Sequence, residues 1–332
     1  VRTRNAVVVS LVGLLLAVLG AVPAAAAPVR PDPGPAASHE IVAPLVGGRV
    51  APTEVDPAGY WTPEKLADAI PVDEVAAPAE RDLGESAISH ADPGTPGTAS
   101  HPIAPSADSP AAASRAAAPV PSSAGKLFYT YDSKDYVCSA STVSSANLNL
   151  VITAAHCVYH TGDGWHTNFA FAPAYYNGDM PYGLWNWERA RTFEAWMQNG
   201  DYAHDQAFIT FAPRNGIELI TWVGGNGFQY NYGTAQPSVR VWGWPAEAPY
   251  DGEVPYYCDN PSTDRSIFDN DAQVACAMTG GASGGPWFRS LINDNLGYVF
   301  AVTSRRTTEG SPRYLISTPN TNDTKVMFDL MT

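Results

Sequence analysis

The sequence has no run of basic residues, few cysteines and, after its first two dozen residues, no long apolar stretch. Each shortage removes a class of explanation. Nineteen lysines and arginines stand against 33 acidic residues, a formal charge of -14, so no footprint for nucleic acid is present. No later apolar run approaches the ~20 residues that span a bilayer, and no stable membrane anchor is expected. CxxC spacing, GxGxxG, heptads and internal repeats are all missing. Neither a cofactor nor a metal is expected.

What is present divides the chain in three. The opening VRTRNAVVVSLVGLLLAVLGAVPAAAA sets two arginines before an apolar run and ends in small residues. That order reads as a secretory signal peptide over 1–27, and so as export. Residues 28–123 are rich in Ala and Pro, hold no cysteine and read as a mostly disordered propeptide and linker. One piece differs. In GYWTPEKLADAIPVDE, Thr62 can cap a helix that starts at Pro63, carries Leu66, Ala69 and Ile70 on one face and stops at Pro71. This predicts a short helix near 62–70. Gly94 to Gly125 reads as a flexible linker, with processing expected between Arg115 and Gly125.

From 124 to 332 the composition changes, and all four cysteines and eight of the nine tryptophans lie there. The length suits one domain with a real core. Seven segments rich in Val, Ile, Tyr, Phe and Thr read as strands: 126–131, 136–142, 148–154, 207–211, 238–244, 273–278 and 296–303. Helix patterns are scarce: a turn after Ala154, a stretch from Trp187 to Met197, and the end of Tyr314 to Leu330. Many short strands predict an all-β barrel or sandwich. In an exported chain the four cysteines favour disulfides over zinc, and three pairings are open. Local pairing would close two loops of about 20 residues, each stabilising by roughly 3 kcal/mol.

Three segments carry chemistry. VITAAHCV places His156 directly after a strand, HDQAFI places Asp205 at the start of another, and GGASGGPW places Ser283 in a glycine turn. A serine hydroxyl is a weak nucleophile and needs an imidazole to take its proton. The imidazole needs a carboxylate to fix its tautomer. Glycines around the serine let backbone N–H groups approach a developing oxyanion unobstructed.

TAAHC together with GxSGGP resembles the trypsin/chymotrypsin family of serine peptidases, and the resemblance covers about Lys126 to Met331. It implies two packed antiparallel β-barrels with a cleft between them. It also implies His156 as general base, Asp205 as its orienting carboxylate, Ser283 as nucleophile, and the N–H groups of Gly281 and Ser283 as the oxyanion hole. The disulfide beside the catalytic histidine would be Cys138–Cys157, leaving Cys258–Cys276. Protein or peptide substrates follow, with the chain's own propeptide as an expected inhibitor. The WTPEKL segment is similar to one in propeptides of secreted bacterial members, particularly actinobacterial and glutamyl-endopeptidase-like ones.

The departures from the family pattern are informative. Ala282 stands where animal trypsins carry the aspartate that pairs with a new N-terminus, so activation is expected to act by removing an inhibitor. The specificity pocket is expected to involve Ala277, Thr279 and Thr303. With no carboxylate at Ala277, preference for Lys or Arg is not expected. No histidine follows His204, so the usual device for glutamate is missing, although Arg305 or Arg306 would meet an acidic side chain if their loop folds inward. His156 and His160 are four apart, but without a third ligand they do not predict a metal site. DNDA, ending at Ala272, lacks the spacing of a calcium loop. The aromatic stretches FAFAPAYYNGDMPYGLWNW and VWGWP read as core. The alternative to an enzyme is a catalytically silent protein on this fold that binds peptide or carbohydrate.

Overall fold

The computed structural model describes residues 37–46, 49–50, 59–74, 94–109, 120–265 and 271–332. The signal-peptide reading of 1–27 and the first half of the expected processing window, 115–119, lie outside the described residues. So do residues 269 and 270 of DNDA. No helix among the described residues is long and apolar enough to cross a membrane.

Before the first barrel come β1 (Ser38–Val42), the two-residue strands Leu45–Val46 and Arg49–Val50 that pair with each other, α1 (Pro63–Ala67), β2 (Ile70–Pro71) and β3 (Gly97–Ser100). The first barrel follows with β4 (Ala124–Tyr131), β5 (Lys134–Thr142), β6 (Leu150–Thr153), β7 (Thr167–Pro173) and β8 (Trp185–Phe193). Helix α2 (Glu194–Asn199) leads to the sixth strand, β9 (Ala207–Phe211). Pairing in the order β8-β7-β4-β5-β6-β9 is closed by β8 on β9, Trp187 opposite Phe211 and Thr192 opposite Ala207. The stretch Trp187 to Met197, read as helical, is therefore strand to Phe193 and helix only from Glu194. Its alternation of buried and half-buried residues on a paired strand overrides the local helix propensity. Phe169, Phe171, Trp185 and Trp187 fill the barrel, so these aromatics are core.

Beyond α3 (Leu219–Val223), the second sheet comprises β10 (Gly227–Tyr230), β11 (Pro237–Gly243), β12 (Tyr256–Ser262), β13 (Ala272–Ala275), β14 (Pro286–Asn293), β15 (Leu296–Arg306) and β16 (Tyr314–Pro319). Six of them run in the order β12-β11-β14-β15-β16-β13. Cys258 lies in end strand β12, and Cys276 directly follows β13, whose far edge carries the two-residue strand Asp264–Arg265. Their disulfide ties β12 to the end of β13, and Cys138–Cys157 is the other bridge. Both pairings are the local ones expected. Helix α4 (Asn322–Met331), capped by Thr321, sets Met327, Phe328 and Met331 against Phe208 and Phe228, where the two sheets meet. The fold is thus all-β, with two packed, mainly antiparallel sheets and few helices among the described residues.

The described residues before 124 are more ordered than their composition implies. Thr62 caps α1 as expected, but the helix ends at Ala67, and Ile70–Pro71 continues as a strand on β5. Trp61, 3% exposed, and Leu66 pack on Phe128, Tyr175 and Trp244, and Trp61 Nε1 donates to Asn168 O at 2.8 Å. Within the stretch read as a flexible linker, β3 pairs with β10. Ser123 and Ala124 are wholly buried, so cleavage at the far end of the expected window, Gly125, would cut into the barrel. Composition understated the order because one tryptophan and one strand supply enough burial to hold a poor segment. Trp61→Ala is expected to weaken docking of this segment by about 3–5 kcal/mol. Hydrogen exchange of residues 60–72 should rise while that of β6 and β9 does not.

Candidate active site

Strand β6 ends at Thr153, and a 3-10 turn over Ala155–Cys157 carries His156 out of the strand direction. The Cys138–Cys157 bridge ties that turn to β5. Asp205 closes a second short turn, Tyr202–His204, just before β9. Because β9 pairs with β6, the two turns meet at one end of the barrel.

The Asp205 carboxylate is wholly buried. It accepts from His156 N at 2.9 Å, from His156 Nδ1 at 2.9 Å and from Ser304 Oγ at 2.6 Å. Those donors offset the cost of burying a charge. A carboxylate can only accept, so Nδ1 carries a proton and Nε2 is left as the basic nitrogen of the neutral ring. His156 Nε2 is itself buried and makes no hydrogen bond to a protein group. Burial pushes the imidazole pKa down, but the charge and hydrogen bond of Asp205 outweigh it, with help from Glu74 and Asp73, and it stands above the ordinary value. Burial likewise opposes the charge on Asp205, yet His156 and Ser304 hold its pKa low.

Ser283 sits in a turn that only glycine permits. Gly281 has φ +93°, and a Cβ there would lie 2.6 Å from Trp244 O. Gly284 has φ +76°, and its Cβ would lie 2.1 Å from Thr153 Oγ1. Hydrogen bonds lock the turn between the sheets: Ser139 N donates to Ser283 O at 2.7 Å, and Gly284 N to Thr303 O at 2.8 Å. Gly281 N donates to the carbonyl oxygen of Val72 at 2.7 Å, and Ser283 Oγ points to the same oxygen at 3.5 Å. An oxygen held by a backbone N–H beside a serine hydroxyl is the arrangement that oxyanion stabilisation requires.

The pocket residues separate. Thr279 and Thr303 line a small space beside Ser283, with Asp73, Glu74 and Arg306. Ala277 does not line it. The alternation leaving β13 buries Cys276 and Met278 and turns Ala277 out to solvent. Arg305 is buried against Asp271 at 2.7 Å, whereas Arg306 holds Asp73 through Nε at 2.7 Å and Nη2 at 2.6 Å, and Glu247 at 2.7 Å. Sequence reasoning missed Ser304, Val72 and Asp73, since no local motif ties them to the site. His160 stacks on Tyr131 and lines, with His156, a cavity of about 410 Å³. Cys138, His156 and Cys157 lie close enough for a shared ligand, but the two sulfurs are bonded to each other and offer no thiolate.

Asp201, the other acidic residue near Asp205 in sequence, belongs to His204, whose Nδ1 lies 2.6 Å from it. Burial depresses His204, but Asp201 and Asp323 raise it to about 9 from an ordinary 6.5. A raised histidine stabilises the fold fully below its unfolded pKa and loses that contribution as pH rises through the folded one. The thermal midpoint should therefore fall between pH 6.5 and about 9, by about 2–4 °C for each kcal/mol lost. His204→Gln should flatten that fall; an unchanged slope would remove His204 as its source.

No protein-family model matches the chain. Among curated proteins, an extracellular metalloprotease of Bacillus subtilis (strain 168) is 29% identical over 96 residues, 29% of each length. Among solved structures, the thermostable serine protease AL20 from an extremophilic microorganism is 30% identical, with TM-score 0.57, over 63% of this chain and 96% of its own. Protease Anisep from Arthrobacter nicotinovorans is 32% identical, with TM-score 0.55, over 61% and 91%. A Glu endopeptidase shares the fold at TM-score 0.51 and 15% identity, over 65% of this chain and 94% of its own. With this fold, and with serine proteases matched over nearly their whole length at this identity, the chain belongs to the trypsin/chymotrypsin-like serine peptidases.

Proposed function

We propose that the protein is a secreted serine endopeptidase that hydrolyses peptide bonds through His156, Asp205 and Ser283, and is made as a precursor. The observation that carries the reading is convergence. Gly281 N–H and Ser283 Oγ address one carbonyl oxygen, while His156 Nδ1 is committed to a buried carboxylate and Nε2 is left as a base.

Ser283 Oγ attacks the scissile carbonyl carbon as its proton passes to His156 Nε2. Asp205 stabilises the imidazolium. The N–H groups of Gly281 and Ser283 take the oxyanion. Collapse of the intermediate breaks the C–N bond, and His156 returns the proton to the departing amine. Water then repeats the sequence on the acyl-enzyme and frees Ser283. The residue before the cut would occupy the space lined by Thr279 and Thr303. Export fits the two disulfides and the leader-like first residues. It also fits the extracellular label of the matched Bacillus subtilis protein.

The test is labelling by an organophosphonate that reacts only with activated serines, applied to the chain after its N-terminal segment has been processed. Peptide mapping should place the adduct on Ser283. A processed, folded chain that takes no label would favour the silent binding protein instead.

A further inference from the structure

The N-terminal segment does not merely pack near Ser283; it runs through the site. Val72 places its carbonyl oxygen on Gly281 N–H, where a scissile carbonyl would sit. On one side of Val72, Ile70–Pro71 pairs with β5 beside Tyr136 and Val137, and Val72 N donates to Val137 O at 3.1 Å. On the other side, Asp73 and Glu74 line the space shared by Thr279, Thr303 and Arg306. Arg306 N donates to Glu74 O at 3.0 Å, and Tyr202 Oη donates to Glu74 Oε2 at 3.1 Å. What remains of that space is about 10 Å³, at most room for one water.

Direction decides what this strand is. In the reaction proposed above, the residue before the cut occupies the Thr279 and Thr303 side, which leaves the other side of Gly281 N–H, along β5, for the residues after it. Here the order is inverted. The residues N-terminal to the Val72 carbonyl lie on β5, and those C-terminal to it fill the pocket. The pairing of β2 with β5 is parallel.

We infer that Ile70–Glu74 is an autoinhibitory plug bound backwards through the cleft, anchored by Asp73 on Arg306, and resistant to the enzyme because of its direction. This rests on the proposed triad for its meaning, though the occupancy itself does not. Were Ser283 to attack Val72, the leaving amine would be Asp73 N, on the pocket side where the ion pairs hold it, and not on the β5 side where a leaving chain departs. The carbonyl also satisfies Gly281 N–H and draws the Ser283 hydroxyl toward itself, while His156 Nε2 stays without a partner. The plug therefore fills the acyl pocket and the oxyanion site together. The side-chain anchors are specific: Asp73 meets Arg306 with two oxygens, and both groups are largely buried.

The test compares the full chain with its Asp73→Ala/Glu74→Ala double variant, which strips the anchors and leaves the barrels untouched. On a Ser283→Ala background, hydrogen exchange at Gly281 should be at least 10-fold faster in the double variant. With Ser283 present, phosphonate labelling should also be at least 10-fold faster, and the bonds from Ile70 to Glu74 should stay intact in the parent on long incubation. Equal exchange and equal labelling in the two chains would overturn the plug. Exchange that rises while neither chain labels would uphold the plug and sink the triad reading. A fragment ending at Val72 that appears only when Ser283 is present would show a substrate-like direction and overturn the reversed one.

Discussion

Ser283→Ala is expected to leave a folded chain whose peptide hydrolysis falls by about 10⁶ in turnover, the scale of nucleophile loss in a serine peptidase. The fold should survive because Ser283 Oγ makes one long contact, 3.5 Å to Val72 O, while the turn is held by its backbone and by glycines. Activity should not survive, since the other hydroxyl of the turn, that of Thr279, is committed to Glu247 O at 3.0 Å. Far-UV spectra and thermal midpoints of the two chains should superimpose. Residual hydrolysis within 10-fold of the parent would mean that another group forms the acyl-enzyme.

The second large effect is Asp205→Asn. Turnover should fall by about 10⁴, the loss that the same change causes in trypsin. The asparagine oxygen, set at the Oδ1 position, can still accept from His156 N, and the amide nitrogen at the Oδ2 position can donate to Ser304 Oγ, so the site should keep its shape. Its amide nitrogen, however, donates. It would face Nδ1 and drive the ring proton to Nε2, and the base would be lost. The pH profile carries the sign. Neutral His156 is the active form, and Asp205 opposes the lowering of its pKa by burial, so the parent's acid limb should lie at higher pH than the variant's. Without the carboxylate, burial is unopposed, and the residual activity should show its limb at lower pH. Near-parent turnover in Asp205→Asn would remove Asp205 from the site, and Asp201 could not replace it while held by His204.

Much was legible in the residues themselves. TAAHC and GASGGP mark His156 and Ser283 because each depends on its own neighbours: a strand end with a bridged cysteine, and a turn that a Cβ would block. The local disulfides and all seven strands read from β-rich runs are present for the same reason, since period and composition act over a few residues. Tertiary contact decided the rest. Ser304 on Asp205 joins positions 99 apart, and Arg306 on Asp73 joins positions 233 apart. No local pattern encodes such distances. Trp187–Phe193 became strand because β9 and β1 were there to pair with it. Ala277 left the pocket because the register of β13 turned it outward. The proline-rich segment shows the division most clearly. Its composition alone could not offset its ordering entropy, but a preformed cleft with a buried guanidinium, an open N–H and a free strand edge could.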